Sequence, residues 1–230
     1  MTQYAIVTGS NGRTGQAICE ALQTAGYIPV GLDVGKDGIG GFAYVQCDVM
    51  KLEQIVAAVD TIEAQHGPIG LVVNNAGVWH GKGFFDITPE DYDFTYGVNA
   101  RGPFFLTQEV ARRMIAAGRG GAVINVASIA GSAGGAVTDY AGSKSVVINF
   151  TKSISKPLGK HGIRVNAVSP GAINSAMGEK VPKELRDKFT AGAALGRAAE
   201  PHEIASVVAF LASPAAAYVT GATVDVNGGL

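Results

Sequence analysis

Charge of one sign is what this chain lacks most: 18 lysines and arginines face 19 aspartates and glutamates, a formal net charge of -1 over 230 residues. That balance removes the electrostatic case for a nucleic-acid or anionic-membrane partner. Cysteine is scarce too. Cys19 and Cys47 stand without a C-x-x-C pair or metal-ligand spacing, so two buried thiols are expected and no metal centre. No run approaches the roughly 18 apolar residues that a bilayer span needs. The opening MTQYAIVTGSNG enters a strand at once and has no basic leader with a cleavage site, so a cytoplasmic protein is expected.

What is present is alternation. Apolar, β-branched runs at Tyr4–Thr8, Ile28–Leu32, Ala43–Gln46, Leu71–Asn74, Ala122–Val126, Arg164–Val168 and Thr223–Val226 suit strands buried on both faces of a parallel sheet. Helical patterns lie between them at Gly15–Ala25, Leu52–His66, Pro89–Val98, Pro103–Ala117, Tyr140–Lys160 and Pro201–Leu211. The expected fold is α/β: a Rossmann-like, doubly wound, seven-stranded parallel sheet in one domain spanning 1–230. Between the second and third strands only GKDGIGGF remains, too short and glycine-rich for a crossover helix, so that helix is expected to be missing. Residues 172–199 form the longest stretch without a clear strand and are the candidate substrate lid.

The first strand runs into Thr8-Gly9-Ser10-Asn11-Gly12-Arg13-Thr14-Gly15 and then a helix. Glycines there permit positive φ and let backbone N–H groups approach a pyrophosphate at the helix N-terminus. Asp33 ends the second strand, near the ~20-residue offset of an acid that binds an adenosine ribose. A carboxylate at that point accepts hydrogen bonds from ribose hydroxyls and repels a 2′-phosphate, which favours NAD over NADP. Arg13 dissents, because a guanidinium near the turn pairs with a 2′-phosphate.

Tyr140 and Lys144 are four residues apart in TDYAGSKSVVINF, and Ser128 precedes them in INVASIAG. On a helix the pair shares one face, about 6 Å apart along the axis. A free tyrosine, with a pKa near ~10, is a poor base at neutral pH; a neighbouring cation favours its phenolate. A serine hydroxyl beside them holds a substrate oxygen while the phenol takes or gives its proton.

Together these pieces resemble the short-chain dehydrogenase/reductase family from Val7 to the closing VDVNGG. The ordered motifs are the glycine-rich turn, Asp48-Val49, Asn74-Asn75-Ala76-Gly77, Asn99, Ser128, Tyr140-x-x-x-Lys144 and Pro170-Gly171. The resemblance implies that Asp48 hydrogen-bonds the adenine, Val49 packs on it, and Asn75, Ala76 and Gly77 line the cofactor. It implies that Asn99 kinks its helix and holds a water that passes protons to Lys144. It makes Tyr140 the general acid/base, gives Lys144 the nicotinamide ribose and Ser128 the substrate oxygen. Pro170, Gly171 and Ile173 would sit beside the nicotinamide, with Ser175 in place of the usual threonine at its carboxamide.

The chain departs from the family's commonest turn, T-G-x-x-x-G-x-G. Its middle glycine comes one residue early and Arg13 holds the usual glycine position, a spacing more typical of longer epimerase and dehydratase relatives. The substrate expected from the pocket candidates Trp79, His80, Gly134 to Asp139 and Asn174 to Met177 is a small cyclic or aromatic secondary alcohol or its ketone. Two rivals are an NADPH-dependent 3-oxoacyl-carrier-protein ketoreductase, which Asp33 opposes, and a catalytically idle cofactor-binding regulator, which Tyr140 and Lys144 oppose. Arg101, Arg112 and Arg113 fit a solvated helix face as well as a carrier-docking one. The resemblance also implies a homotetramer, or a homodimer, pairing the two long helices through Phe104, Phe105, Val146, Phe150 and Ile154. With the sequence ending at Gly229-Leu230, no long swapped tail is expected.

Overall fold

A computed structural model describes residues 3–134, 137–179, 181 and 183–230. Seven parallel strands form one sheet in the order β3-β2-β1-β4-β5-β6-β7. They are β1 (Gln3–Thr8), β2 (Tyr27–Asp33), β3 (Ala43–Gln46), β4 (Ile69–Asn74), β5 (Gly121–Val126), β6 (Ile163–Pro170) and β7 (Thr223–Val226). Side chains alternate across the pleat, so one strand feeds two cores. Ala5, Val7, Leu71, Val73 and Ile124 face one layer; Ile6, Val72 and Val123 face the other.

The first layer holds α1 (Arg13–Thr24) and α9 (Pro201–Ala212), whose Ile18, Leu22, Ile204 and Val208 are fully buried. The second holds α2 (Leu52–Gln65) and α4 (Gly102–Ala116), with Ile55, Ile62, Leu106 and Met114 buried against Val30 and Val165. Burying an aliphatic side chain of this kind contributes roughly 1.5–3 kcal/mol, so the two layers supply the bulk of the folding drive. The remaining helices are α3 (Pro89–Tyr96), α5 (Ala130–Ala133), α6 (Thr138–Gly159), α7 (Ala176–Glu179) and α8 (Lys183–Gly192). No helix among the described residues is long and apolar enough to cross a membrane.

The link between β2 and β3 carries no helix, as its glycines foretold. It is nevertheless an ordered cover. The Tyr44 hydroxyl donates to the Asp33 carbonyl at 2.9 Å and to that of Gly35. A Cβ on Gly38 would lie 2.6 Å from the Tyr44 ring, so only glycine lets the loop close over it.

The sequence pattern ends a helix at Val98; the chain instead continues through a π-turn, Gly97–Arg101, straight into α4. Asn99 lies in this turn, fully buried, with its side chain hydrogen-bonded to the Val78 backbone rather than to solvent. The sheet reverses strand order between β1 and β4, the point beyond whose strand carboxyl ends open α/β sheets bind their ligands.

Candidate active site

The turn after β1 is built by packing. Gly9 has φ +66°, and its N–H donates to the Leu32 carbonyl at 2.8 Å, tying the turn to β2. A Cβ on Gly15 would fall 2.1 Å from the Gly9 carbonyl oxygen, so α1 reaches the turn only through a bare backbone. Gly12 is different: a Cβ there would meet only the Gly9 oxygen, at 3.4 Å. Its openness faces away from the protein.

Helix α1 starts at Arg13 with no side-chain cap and no acidic residue in its first turn. The N–H groups of Arg13, Thr14 and Gly15 have no partner among the described residues. Free donors at the positive end of a helix suit a pyrophosphate, so the residues present fit a dinucleotide.

Asp33 lies where the sequence suggests, partly buried at the end of β2. Its Oδ2 accepts from Asn11 N–H at 3.0 Å and its Oδ1 from Val34 N–H at 2.7 Å. Each oxygen keeps a further lone pair for a ribose hydroxyl. Asn11 also clasps the β2–β3 loop: its Nδ2 donates to the Asp37 carbonyl and its Oδ1 accepts from Ile39 N–H, both at 3.0 Å. Arg13 points elsewhere. Its Nη1 donates to Glu179 Oε1 at 2.5 Å, on α7 of the expected lid.

Asp48 Oδ1 accepts from Met50 N–H at 3.0 Å, and Val49 is 7% exposed beneath the start of α4, where a Cβ on Gly102 would strike it. Thr8 positions the next segment, its Oγ1 accepting from the N–H of Asn75 at 3.0 Å and of Ala76 at 2.9 Å. Asn75 Nδ2 returns to the Thr8 carbonyl at 2.9 Å. Gly77 leaves room beside two polar atoms: a Cβ there would stand 3.5 Å from Lys144 Nζ and 3.6 Å from Asn99 Oδ1.

Around Tyr140 the expected set converges. Lys144 is 4% exposed, its Nζ donates to the Val126 carbonyl at 2.7 Å, and it lies 5.7 Å from the Tyr140 ring centre. Burial pulls the Lys144 ammonium down to about 8, since a cation is poorly solvated there. Burial pushes the Tyr140 phenol up, while a hydrogen bond with Ser128 draws it back. Asn99 Oδ1 accepts from Val78 N–H at 2.8 Å; its Nδ2 donates to the Val78 carbonyl and to Ser143 Oγ, both at 3.0 Å.

Ser143 then donates to the Tyr140 carbonyl at 2.7 Å. Sequence reasoning missed this serine, because a helical serine beside a lysine carries no local signal. Ser128 Oγ accepts from Ala130 N–H at 3.2 Å, and the Ile129 N–H donates to the Pro170 carbonyl at 2.9 Å. That second bond brings the end of β5, with Ser128, against Pro170 and Gly171 at the end of β6.

Ile173 forms a β-bridge with Ala199, closing the base of the expected lid, and Ser175 Oγ accepts from Gly178 N–H at 3.2 Å. Of the pocket-rim candidates, Gly135 and Ala136 lie outside the described residues, as do Lys180 and Pro182 of the lid. Trp79 buries its indole N–H without a hydrogen-bond partner. His80 is exposed, with Nδ1 4.0 Å from Asp91 Oδ1; Lys82 pairs more closely with the same carboxylate, at 2.6 Å. Arg113 is held by Glu109, Glu63 and Asp60, so it belongs to a structural ion-pair cluster rather than a docking face.

A parallel sheet with this order, a glycine turn at its switch point and a partly exposed tyrosine one helical turn from a buried lysine define an oxidoreductase of the nicotinamide-dependent class. A family model described as Enoyl-(Acyl carrier protein) reductase matches residues 14–230. A (3R)-3-hydroxyacyl-CoA dehydrogenase of Mus musculus is 35% identical over 98% of this chain and 95% of its own length. A 3-oxoacyl-[acyl-carrier-protein] reductase FabG of Thermotoga maritima is 34% identical, covering 98% of this chain and 96% of its own. The solved structure described as gox2181 superposes with a TM-score of 0.93 at 30% identity, over 99% of this chain and 95% of that one. The chain belongs to the short-chain dehydrogenase/reductase family.

Proposed function

We propose that this protein interconverts a 3-hydroxyacyl thioester and its 3-oxoacyl counterpart, with NAD as the hydride carrier. The observation that carries the reading is the cluster of Tyr140, Lys144, Ser128 and Asn99, held in one place by three different elements. Bound NAD would accept hydride at its nicotinamide from the hydroxyl-bearing carbon. Tyr140 takes the hydroxyl proton, and Ser128 holds the same oxygen in line. Lys144 keeps a positive charge below about pH 8 and so favours the phenolate. Asn99, fixed at both ends of its amide, sets the π-turn that brings the backbone beside Lys144.

The thioester class is supported by the mouse and Thermotoga relatives; the small cyclic alcohol expected from Trp79 finds no counterpart among them. NAD is supported by Asp33, whose carboxylate is oriented by two backbone N–H groups, and by Arg13, which is engaged with Glu179 instead. The exposed Phe104 and Val146, with Phe150 packed 5.3 Å from Phe104, support pairing of α4 and α6 between copies. We assign one domain to 1–230, with the lid at 172–199.

The test is absorbance of reduced cofactor with purified protein, a panel of 3-hydroxyacyl-CoA esters and cyclic alcohols, and both NAD and NADP. Turnover of the thioesters with NAD is expected, with Asp33→Ser relaxing the preference toward NADP. Turnover of only the cyclic alcohols would reject the substrate, and wild-type preference for NADP would reject the Asp33 argument.

A further inference from the structure

Two features of Arg13 are unused by the catalytic reading. It occupies the first position of α1, beside the free N–H groups of a helix that no side chain caps. It also reaches from the turn after β1 to Glu179, the last residue of α7. Both side chains are about half exposed, at 53% and 55%, so the pair stands at the mouth rather than in the core.

Among the described residues, the backbone of the arm that carries Glu179 is fastened to the rest of the fold at its base. At its base Ile173 bridges to Ala199, Asn174 N–H donates to the Ala199 carbonyl at 2.9 Å, and Asn174 Nδ2 donates to Glu200 Oε1 at 2.5 Å. Beyond Ser175 the hydrogen bonds are local: Glu179 N–H to the Ser175 carbonyl and Gly178 N–H to Ser175 Oγ. Among the described residues, Arg13–Glu179 is the one long-range polar tie of α7. Only Nη1 of the guanidinium is committed to it, and a guanidinium carries five N–H donors in a rigid fork.

We propose that Arg13 binds the cofactor and straps the arm Ala172–Glu179 over it, its free donors taking the dinucleotide pyrophosphate while Nη1 holds Glu179, the positioning residue. The inference rests on the dinucleotide reading above and deepens it. Arginine where a glycine would serve the turn then has a reason: it couples retention of the cofactor to closure of the arm. Glu179 acts on the cofactor only through Arg13.

NADH binding, followed by fluorescence titration and stopped-flow displacement, tests this with wild type, Arg13→Gln, Glu179→Gln and the double variant. Loss of one charge-assisted phosphate contact predicts about tenfold weaker binding for Arg13→Gln. Loss of an exposed ion pair predicts about threefold faster release for Glu179→Gln, an effect that disappears at high salt. The double variant is expected to bind no more weakly than Arg13→Gln. Limited proteolysis supplies a second readout: NADH is expected to slow cleavage of the arm in wild type but not in Glu179→Gln.

Unchanged or tighter binding by Glu179→Gln, or additive penalties in the double variant, would overturn the strap. If wild type binds no dinucleotide, the proposed function falls with it. If wild type binds and the variants match it, only the strap falls.

Discussion

Replacing Lys144 with methionine tests the proposed chemistry at its centre, because it removes a charge and keeps most of the volume. The Lys144 Nζ stands 5.7 Å from the Tyr140 ring centre. At an effective dielectric near ~20, a unit charge at that separation stabilises the phenolate by about 3 kcal/mol, or roughly two pKa units. The stabilisation is available wherever Lys144 is charged, below about pH 8. The assay is kcat/KM for alcohol oxidation as a function of pH, where the rising limb reports ionisation of the base in the free enzyme. Lys144→Met is expected to move that limb up by about two units, so that below both inflections the rate falls about 100-fold. A variant limb that coincides with wild type would refute the argument, since Tyr140 would then ionise without help from the cation. A loss of rate with no shift would refute it too, and would leave Lys144 its hold on the Val126 carbonyl and the expected one on the nicotinamide ribose.

The same lysine carries a stability prediction of opposite benefit. Folding lowers its pKa from 10.5 to about 8, so between those values the unfolded chain binds more protons and stability rises with pH. Keeping it charged at pH 7 costs roughly 3 kcal/mol, and Lys144→Met, though it strands the Val126 carbonyl, is expected to lose its relative advantage by roughly 2–3 kcal/mol as pH climbs to about 10. Urea titrations at both pH values check this, and parallel pH dependence in the two proteins would sink it. Gly15→Ala places a Cβ 2.1 Å from the Gly9 carbonyl oxygen, so the turn must shift. It is expected to destabilise by at least about 2 kcal/mol and to abolish dinucleotide binding in a titration; a stable, cofactor-binding variant would contradict the packing argument.

Much of the fold was legible because the signals are local. Continuous β-branched runs cannot face water on either side, so the strands and their burial followed directly from composition. The nine-residue, glycine-rich link between Asp33 and Ala43 could not hold a crossover helix, and it does not. The helical pattern ended at Val98 and did not reveal the π-turn that joins α3 to α4; only the family resemblance implied a kink at Asn99, whose amide partners Val78 and Ser143 are distant in the chain.

By itself the sequence determined which residue types meet at the strand ends: a glycine turn, an acid after β2, and a tyrosine and lysine one helical turn apart. Those follow from chain spacing, which fixes what is adjacent on a strand or a helix. Only the tertiary structure decided how each group is used. It put Lys144 out of water, and so lowered its pKa, by laying α6 against the end of β5. It bound Asn11 to the loop that replaces a helix. It also turned Arg13 from the ribose acid to Glu179, a residue far along the chain that no local pattern could have named.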